Sequence, residues 1–397
     1  MIPAATPAVT PAVIVAAVRS PMAKGKAGGA LSGLHPVDLL AQTLTALIDR
    51  AGIDPGSVDD VLVGCVGQNG EQSATPGRQA WLAAGYPEHV PSTTIERKCG
   101  SSQQAVDFAV QGVLAGAYDI AIAAGVESMS RVPMGSARGE ADPVGPGVRA
   151  RYPVLAPQGV SAELVAAKWS LSREALDAYS AESHRRAAAA DFTAEIAPVT
   201  LPDGTALSAD ETIRPGTTAE KLSGLRPAFA SYADRFPEVD WKITAGNSSQ
   251  LTDGAAALLV MSEAKATALG LTPLARVVAS AVVGDDPLLM LTGPIPATHK
   301  VLSRAGLAIE DMAAVEVNEA FAPVPLAWHA EFPSLDPARL NPLGGAIALG
   351  HPLGASGARL MTTIIHNLAA TGSRYALQTM CEAGGMANAT IIENLTC

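Results

Sequence analysis

Two thiols and one imidazole are the side chains in this sequence whose surroundings point to chemistry. Cys99 lies in Thr94-Ile95-Glu96-Arg97-Lys98-Cys99-Gly100-Ser101-Ser102, where a strand or loop turns into a helix with apolar spacing at Phe108, Val110, Val113 and Leu114. The positive end of a helix dipole favours thiolate over thiol, which is a nucleophile's position. His351 sits among five glycines and two prolines between Asn341 and Gly357, and an apolar run from Ala358 to Leu368 follows. That loop does not fit GxGxxG, no GK[ST] closes it, and no Cys or His stands at short zinc-ligand spacing from the ring. It reads as a loop shaped to deliver an imidazole. Cys381 opens Cys381-Glu382-Ala383-Gly384-Gly385-Met386, read as a turn between strands at Tyr375–Met380 and Ala389–Ile392, able to expose a thiol and a backbone N–H. Taken singly, Cys99 also fits a small residue filling a tight joint, and His351 a structural loop histidine; their combination shifts the balance.

These three residues need elements to carry them. Val13–Val18 and Val61–Val66 read as buried strands, with Cys65 a packed core thiol, and Pro36–Ala51 has helical spacing that Gly52 stops. Asp119–Ala124 is the strand after the Cys99 helix. From about 131 to 245 the texture changes to many Gly, Pro and charged residues, with helices near Ser161–Trp169 and Arg173–Ala190. A strand at Ala257–Met261 ends this insertion. The second half then echoes the first: Arg50-Ala51-Gly52-Ile53 with Val61-Leu62-Val63-Gly64 aligns, at one constant offset, with Arg304-Ala305-Gly306-Leu307 and Val315-Glu316-Val317-Asn318. An internal duplication accounts for this, with Cys99 and His351 on equivalent loops that symmetry would bring together at a shared interface.

At 397 residues and 48% hydrophobic content, two or three packed units are expected. The net charge of −11 gives no general attraction to nucleic acid or to an anionic membrane, so small molecules are the expected partners. Cys65, Cys99, Cys381 and Cys397 are too sparse for a disulfide framework or zinc site and read as cytosolic thiols. Residues 1–11 lack the basic and apolar regions of an export signal and read as a disordered arm.

With Cys99, Asn318-Glu319-Ala320-Phe321-Ala322, Gly350-His351-Pro352 and Cys381-x-x-Gly384-Gly385 in order, the chain resembles the thiolase family of coenzyme A-dependent acyltransferases from about Val13 to Ile392. The resemblance implies an α/β, five-layered αβαβα fold of two duplicated halves plus a loop domain. The corresponding divisions are 12–125 for the N-terminal half, completed by 246–272, then 126–245 for the loop domain and 273–397 for the C-terminal half. The loop domain would carry coenzyme A binding and oligomer contacts, in a homodimer or homotetramer located in the cytoplasm. It implies Cys99 as nucleophile, His351 as its base, and Cys381 as the acid/base for the departing acetyl-CoA carbanion. His351 and a water held by Asn318 would form one oxyanion pocket, and the backbone N–H groups of Cys99 and Ala383 the other. Ser249 would contact the pantetheine arm of coenzyme A and Arg214 the adenine end. No permanently bound cofactor or metal is implied, since coenzyme A is a co-substrate.

The residue types suit that reaction: a thiolate attacks and leaves easily, a second thiol can exchange a proton with an enolate, and negative charge on oxygen forms twice. Two departures from the family pattern stand out. Ala383 occupies the first of three usual glycines, so either the turn needs no left-handed residue there or the second pocket is strained. Pro157-Gln158-Gly159 stands where short-chain biosynthetic members carry His-Met-Gly, which resembles the degradative branch acting on longer or bulkier chains, sterol-derived ones included. The expected activity is 3-ketoacyl-CoA thiolysis through an acyl-cysteine. The competing readings are the condensing direction and a non-catalytic acyl-CoA or lipid carrier.

Overall fold

A computed structural model describes residues 11–396; the remainder of the expected N-terminal arm and Cys397 lie outside them. The framework is a ten-stranded sheet. Its main strands are β1 (Ala12–Arg19), β2 (Asp60–Gly64), β3 (Ser92–Ile95), β4 (Ile120–Ser128), β5 (Thr252–Ser262), β6 (Ala275–Gly284), β7 (Met312–Val317), β8 (Tyr375–Glu382) and β9 (Met386–Asn394). They run in the order β7-β8-β9-β6-β1-β5-β4-β2-β3. The two halves meet where β1 pairs antiparallel with β6, Val13 opposite Arg276 and Ile14 opposite Ala275.

Side-chain alternation sorts the strands into layers. Along β5, Ala255, Ala257, Leu259 and Met261 pack with α1 (Pro36–Ala51) and α2 (Pro76–Ala83) on one face. Ala256, Leu258 and Val260 face the opposite way, onto α3 (Ser101–Leu114) and the C-terminal helix Ser356–Thr371. In the second half, Val315, Val317, Leu377, Ala389 and Ile391 face helices Pro294–Ala305 and Pro323–Glu331, whereas Ala314, Ala376 and Ile392 join the central layer. Helix, sheet, helix pair, sheet, helix is the five-layered order. The strands are apolar on both faces because both are covered.

The repeated Arg-Ala-Gly motif ends its two helices identically, with Gly52 at φ 64° and Gly306 at φ 65° capping in the left-handed region. Between β4 and β5 come helices Gln158–Lys168 and Arg173–Ala189. This stretch is tied to β1 by the wholly buried Arg19, which pairs with Glu195 and donates to both Asp210 oxygens at 2.7 and 2.9 Å. Strand β4 continues to Ser128, past the expected end at Ala124, because Gly125 to Ser128 keep pairing with β5. Among the described residues, no helix is long and apolar enough to cross a membrane.

Candidate active site

Cys99 projects from a tight elbow between β3 and α3. Lys98 holds a left-handed φ of 49°, locked by Ser101, whose Oγ donates to the Lys98 carbonyl at 2.6 Å and accepts from the Arg97 N–H at 2.9 Å. A bulky residue held at positive φ is a strained position, maintained here by its neighbours. The thiol is 7% exposed, and burial, with the Glu382 charge next, pushes it up to about 12. Burial thus opposes the thiolate that the helix end favours, so Cys99 needs a base to release its proton.

His351 is held at both ends. Its backbone N–H donates to Gln250 O at 3.1 Å and to Thr252 Oγ1 at 3.0 Å. Its Nδ1 lies 2.5 Å from Ser356 Oγ, which is 2.8 Å from Pro352 O. A hydroxyl has one proton; donated to Pro352 O, it leaves Ser356 to accept from Nδ1–H, and the lone pair falls on Nε2. Burial, then the Arg359 charge, drives the ring down to about 3, so it stays neutral. Nε2 is 3.5 Å from Nδ2 of Asn318, whose carboxamide oxygen is buried without a protein partner.

Glycines let the two loops touch backbone to backbone. A Cβ on Gly64 or Gly125 would come within 2.7 or 2.6 Å of the Gly354 carbonyl, and one on Gly357 within 2.3 Å of the Gln103 nitrogen. Glu127 bridges the halves, accepting from Val66 N and Gln72 Nε2 at 2.9 Å and from Gly354 N at 2.8 Å.

Cys381 does not lie in a turn. It is a paired residue of β8, opposite Ala387, and the turn comprises Ala383, Gly384 and Gly385. Only Gly384 (φ 95°) and Gly385 (φ 78°) are left-handed, so alanine at 383 needs no strained backbone. Burial, and then the charge of Cys99, pushes the Cys381 thiol well up.

Cys99, His351, Cys381 and Ala383 line one cavity of about 220 Å³ that also reaches Ser248 and Ser249. Arg214 does not line it. That side chain is exposed and donates to Gln250 Oε1 at 2.9 Å, connecting it to the site only through the residue whose carbonyl accepts from His351. Several supporting residues carried no role in the sequence reading. Ser356 fixes the imidazole. Glu319, noted only as part of its motif, is fully buried and accepts from Tyr179 Oη (2.8 Å), Ser183 Oγ (2.7 Å), Asn341 Nδ2 (3.1 Å) and Ile347 N (3.0 Å). It thereby joins the Asn318 segment to the glycine loop. A buried carboxylate that must find donors is the signal that could have marked it.

The family description "Thiolase, N-terminal domain" matches residues 12–264, and "Thiolase, C-terminal domain" matches 271–394. The chain belongs to the thiolase family. Among similar thiolases, a "Steroid 3-ketoacyl-CoA thiolase" of Mycobacterium tuberculosis is 47% identical over 392 residues, spanning 96% of this chain and 93% of the relative. A "Beta-ketoadipyl-CoA thiolase" of Escherichia coli is 44% identical over 402 residues, spanning 95% and 98%. The crystal structure of the Bacillus anthracis acetyl-CoA acetyltransferase superposes with a TM-score of 0.87 at 37% identity, over 98% of this chain and 100% of that one.

Proposed function

We propose that this thiolase cleaves 3-ketoacyl-CoA with coenzyme A, giving acetyl-CoA and a shortened acyl-CoA through an acyl-Cys99 intermediate. The observation that carries this reading is the convergence of two thiols and a neutral, Nε2-basic imidazole on one cavity that continues to Ser249. Cys99 adds its sulfur to the C3 carbonyl as its proton passes to His351 Nε2. The oxyanion collapses, the C2–C3 bond breaks, and its electron pair is left on C2 of the departing acetyl-CoA. The Cys381 thiol protonates that carbon. Incoming coenzyme A returns a proton to Cys381 and attacks the thioester, and His351 reprotonates Cys99 as it leaves. The Asn318 amide beside His351 Nε2 supports a donor pocket for the first oxyanion, with its unpartnered oxygen available to a water. The backbone N–H groups of Cys99 and Ala383 are assigned to the second.

Ser249 is assigned to the pantetheine arm, and Arg214, outside the cavity, only to the far adenine end. The divisions 12–125, 126–245, 246–272 and 273–397 are kept as working domain limits. Acyl-CoA and coenzyme A are the partners of an enzyme working as a homodimer or homotetramer in the cytoplasm. Mass spectrometry after mixing with a 3-ketoacyl-CoA tests the reading: an acyl mass on the Cys99 peptide, abolished in Cys99→Ala, is expected. No acyl mass on the intact protein would leave a carrier.

A further inference from the structure

A second cavity, about 350 Å³, shares Cys99, Met134, Gln158, Leu353 and Ala383 with the first but runs on toward Gly67 and the segment 129–143, whereas the first continues to Ser249. Its volume is that of a small-molecule site, and Met129, Val132 and Met134 give it apolar walls. Three charged side chains border it. Glu127 spends both oxygens on Val66 N, Gly67 N, Gln72 Nε2 and Gly354 N, so its charge is turned into the protein. Lys98 is paired with Glu96 at 3.1 Å. Arg138, exposed at the 129–143 end, is in no ion pair among the described residues.

Resting on the thiolase reading, we propose that the acyl group filling this cavity has an apolar body and a distal carboxylate, which Arg138 receives. The Cys99 end fixes the reacting carbonyl, the methionine and valine walls cover the carbon chain, and the guanidinium fork matches a carboxylate at the far end. In a protein of net charge −11, an anionic tail needs such a local cation, whereas a methyl-terminated tail gains nothing from it.

The test uses the full-length chain and two 3-ketoacyl-CoA substrates of equal length, one ending in a methyl group and one in a carboxylate. Wild type is expected to favour the carboxylate substrate in kcat/KM by about tenfold or more, the scale of a charge-assisted hydrogen bond, and the preference should shrink as salt is raised. Arg138→Gln should bring the ratio of the two substrates near one, acting through KM, and Arg138→Lys should keep part of it. Equal use of both substrates by wild type, or an unchanged ratio in Arg138→Gln, overturns the inference while leaving thiolysis standing. Absence of thiolysis with either substrate, and of acyl-Cys99, overturns the underlying reading and this inference with it.

Discussion

Replacing Glu319 by alanine should damage both stability and rate. Its carboxylate is 1% exposed and receives four donors. Asn341 Nδ2 keeps Val317 O and Tyr179 Oη as partners, so it is not orphaned. Tyr179 Oη, Ser183 Oγ and Ile347 N would lose their acceptor, at about 1–3 kcal/mol for each unsatisfied buried donor. Relief of the carboxylate's own burial cost and local relaxation offset part of this, leaving a loss of about 3–5 kcal/mol. Glu319→Gln preserves the shape and one acceptor oxygen but turns an NH₂ toward donors, so about half that loss is expected. Because Ile347 begins the segment leading to His351, kcat/KM should fall by about a hundredfold in the alanine variant, the scale of a small misplacement of a reacting group. Alkylation of Cys99 by iodoacetamide should slow as well, since the thiolate that reacts is formed by proton transfer to the displaced His351. The assay is a denaturant titration beside steady-state thiolysis and alkylation rates. A midpoint shift equivalent to less than about 1 kcal/mol, with kcat/KM within twofold of wild type, would refute the positioning role.

Cys381→Ala should still take an acyl group onto Cys99 from an acyl-CoA, a thioester exchange that forms no carbanion, while losing steady-state thiolysis by about a hundredfold or more; undiminished turnover would remove Cys381 from the proton transfers. Glu382 is buried with both oxygens unpartnered, and desolvation raises it from 4.5 to about 8, with Arg97 opposing. Its stabilising contribution is complete below the unfolded value and disappears as pH rises through about 8. Glu382→Gln should therefore raise the denaturation midpoint at pH 9 and leave it nearly unchanged at pH 4. The same variant removes a negative charge that raises Cys99, so alkylation at pH 9 should accelerate; equal rates would discount that coupling. Ala383→Gly should bring no gain, because position 383 is not left-handed, and should cost about 0.5–1 kcal/mol in stability by chain entropy. A large rise in kcat would show that the alanine constrains the second oxyanion pocket.

Much of this framework is written in local patterns. The alternation in β5, the helical spacing of Leu39, Leu40, Leu44, Leu47 and Ile48, and the capping glycines are short-range signals that predict their own elements. The duplication brought the equivalent loops to one interface on paper, and the cavity shared by Cys99 and His351 shows them there. What the sequence hid depends on distant contacts. How strongly the thiolate of Cys99 is disfavoured depends on its packing against Leu353, Leu360 and Met380 and on the Glu382 charge, which the helix-end position cannot tell. The nearness of Gly384 and Gly385 points to a turn at Cys381; cross-strand pairing with Ala387 sets the turn two residues later. The anchor Glu319 finds partners across the fold, Tyr179 and Ser183 lying far from it in sequence, whereas Ser356 is only five residues from His351 and is hidden by the turn that swings its Oγ to Nδ1.

The glycine contacts between the Gly354 loop and the first half, closed by Glu127, make the catalytic pair a property of the seam between repeats. Neither repeat alone owns a reactive centre, so a chain cut between β5 and β6 should regain activity only when its fragments reassemble. Thiolysis in such a split protein would report how accurately the seam is restored.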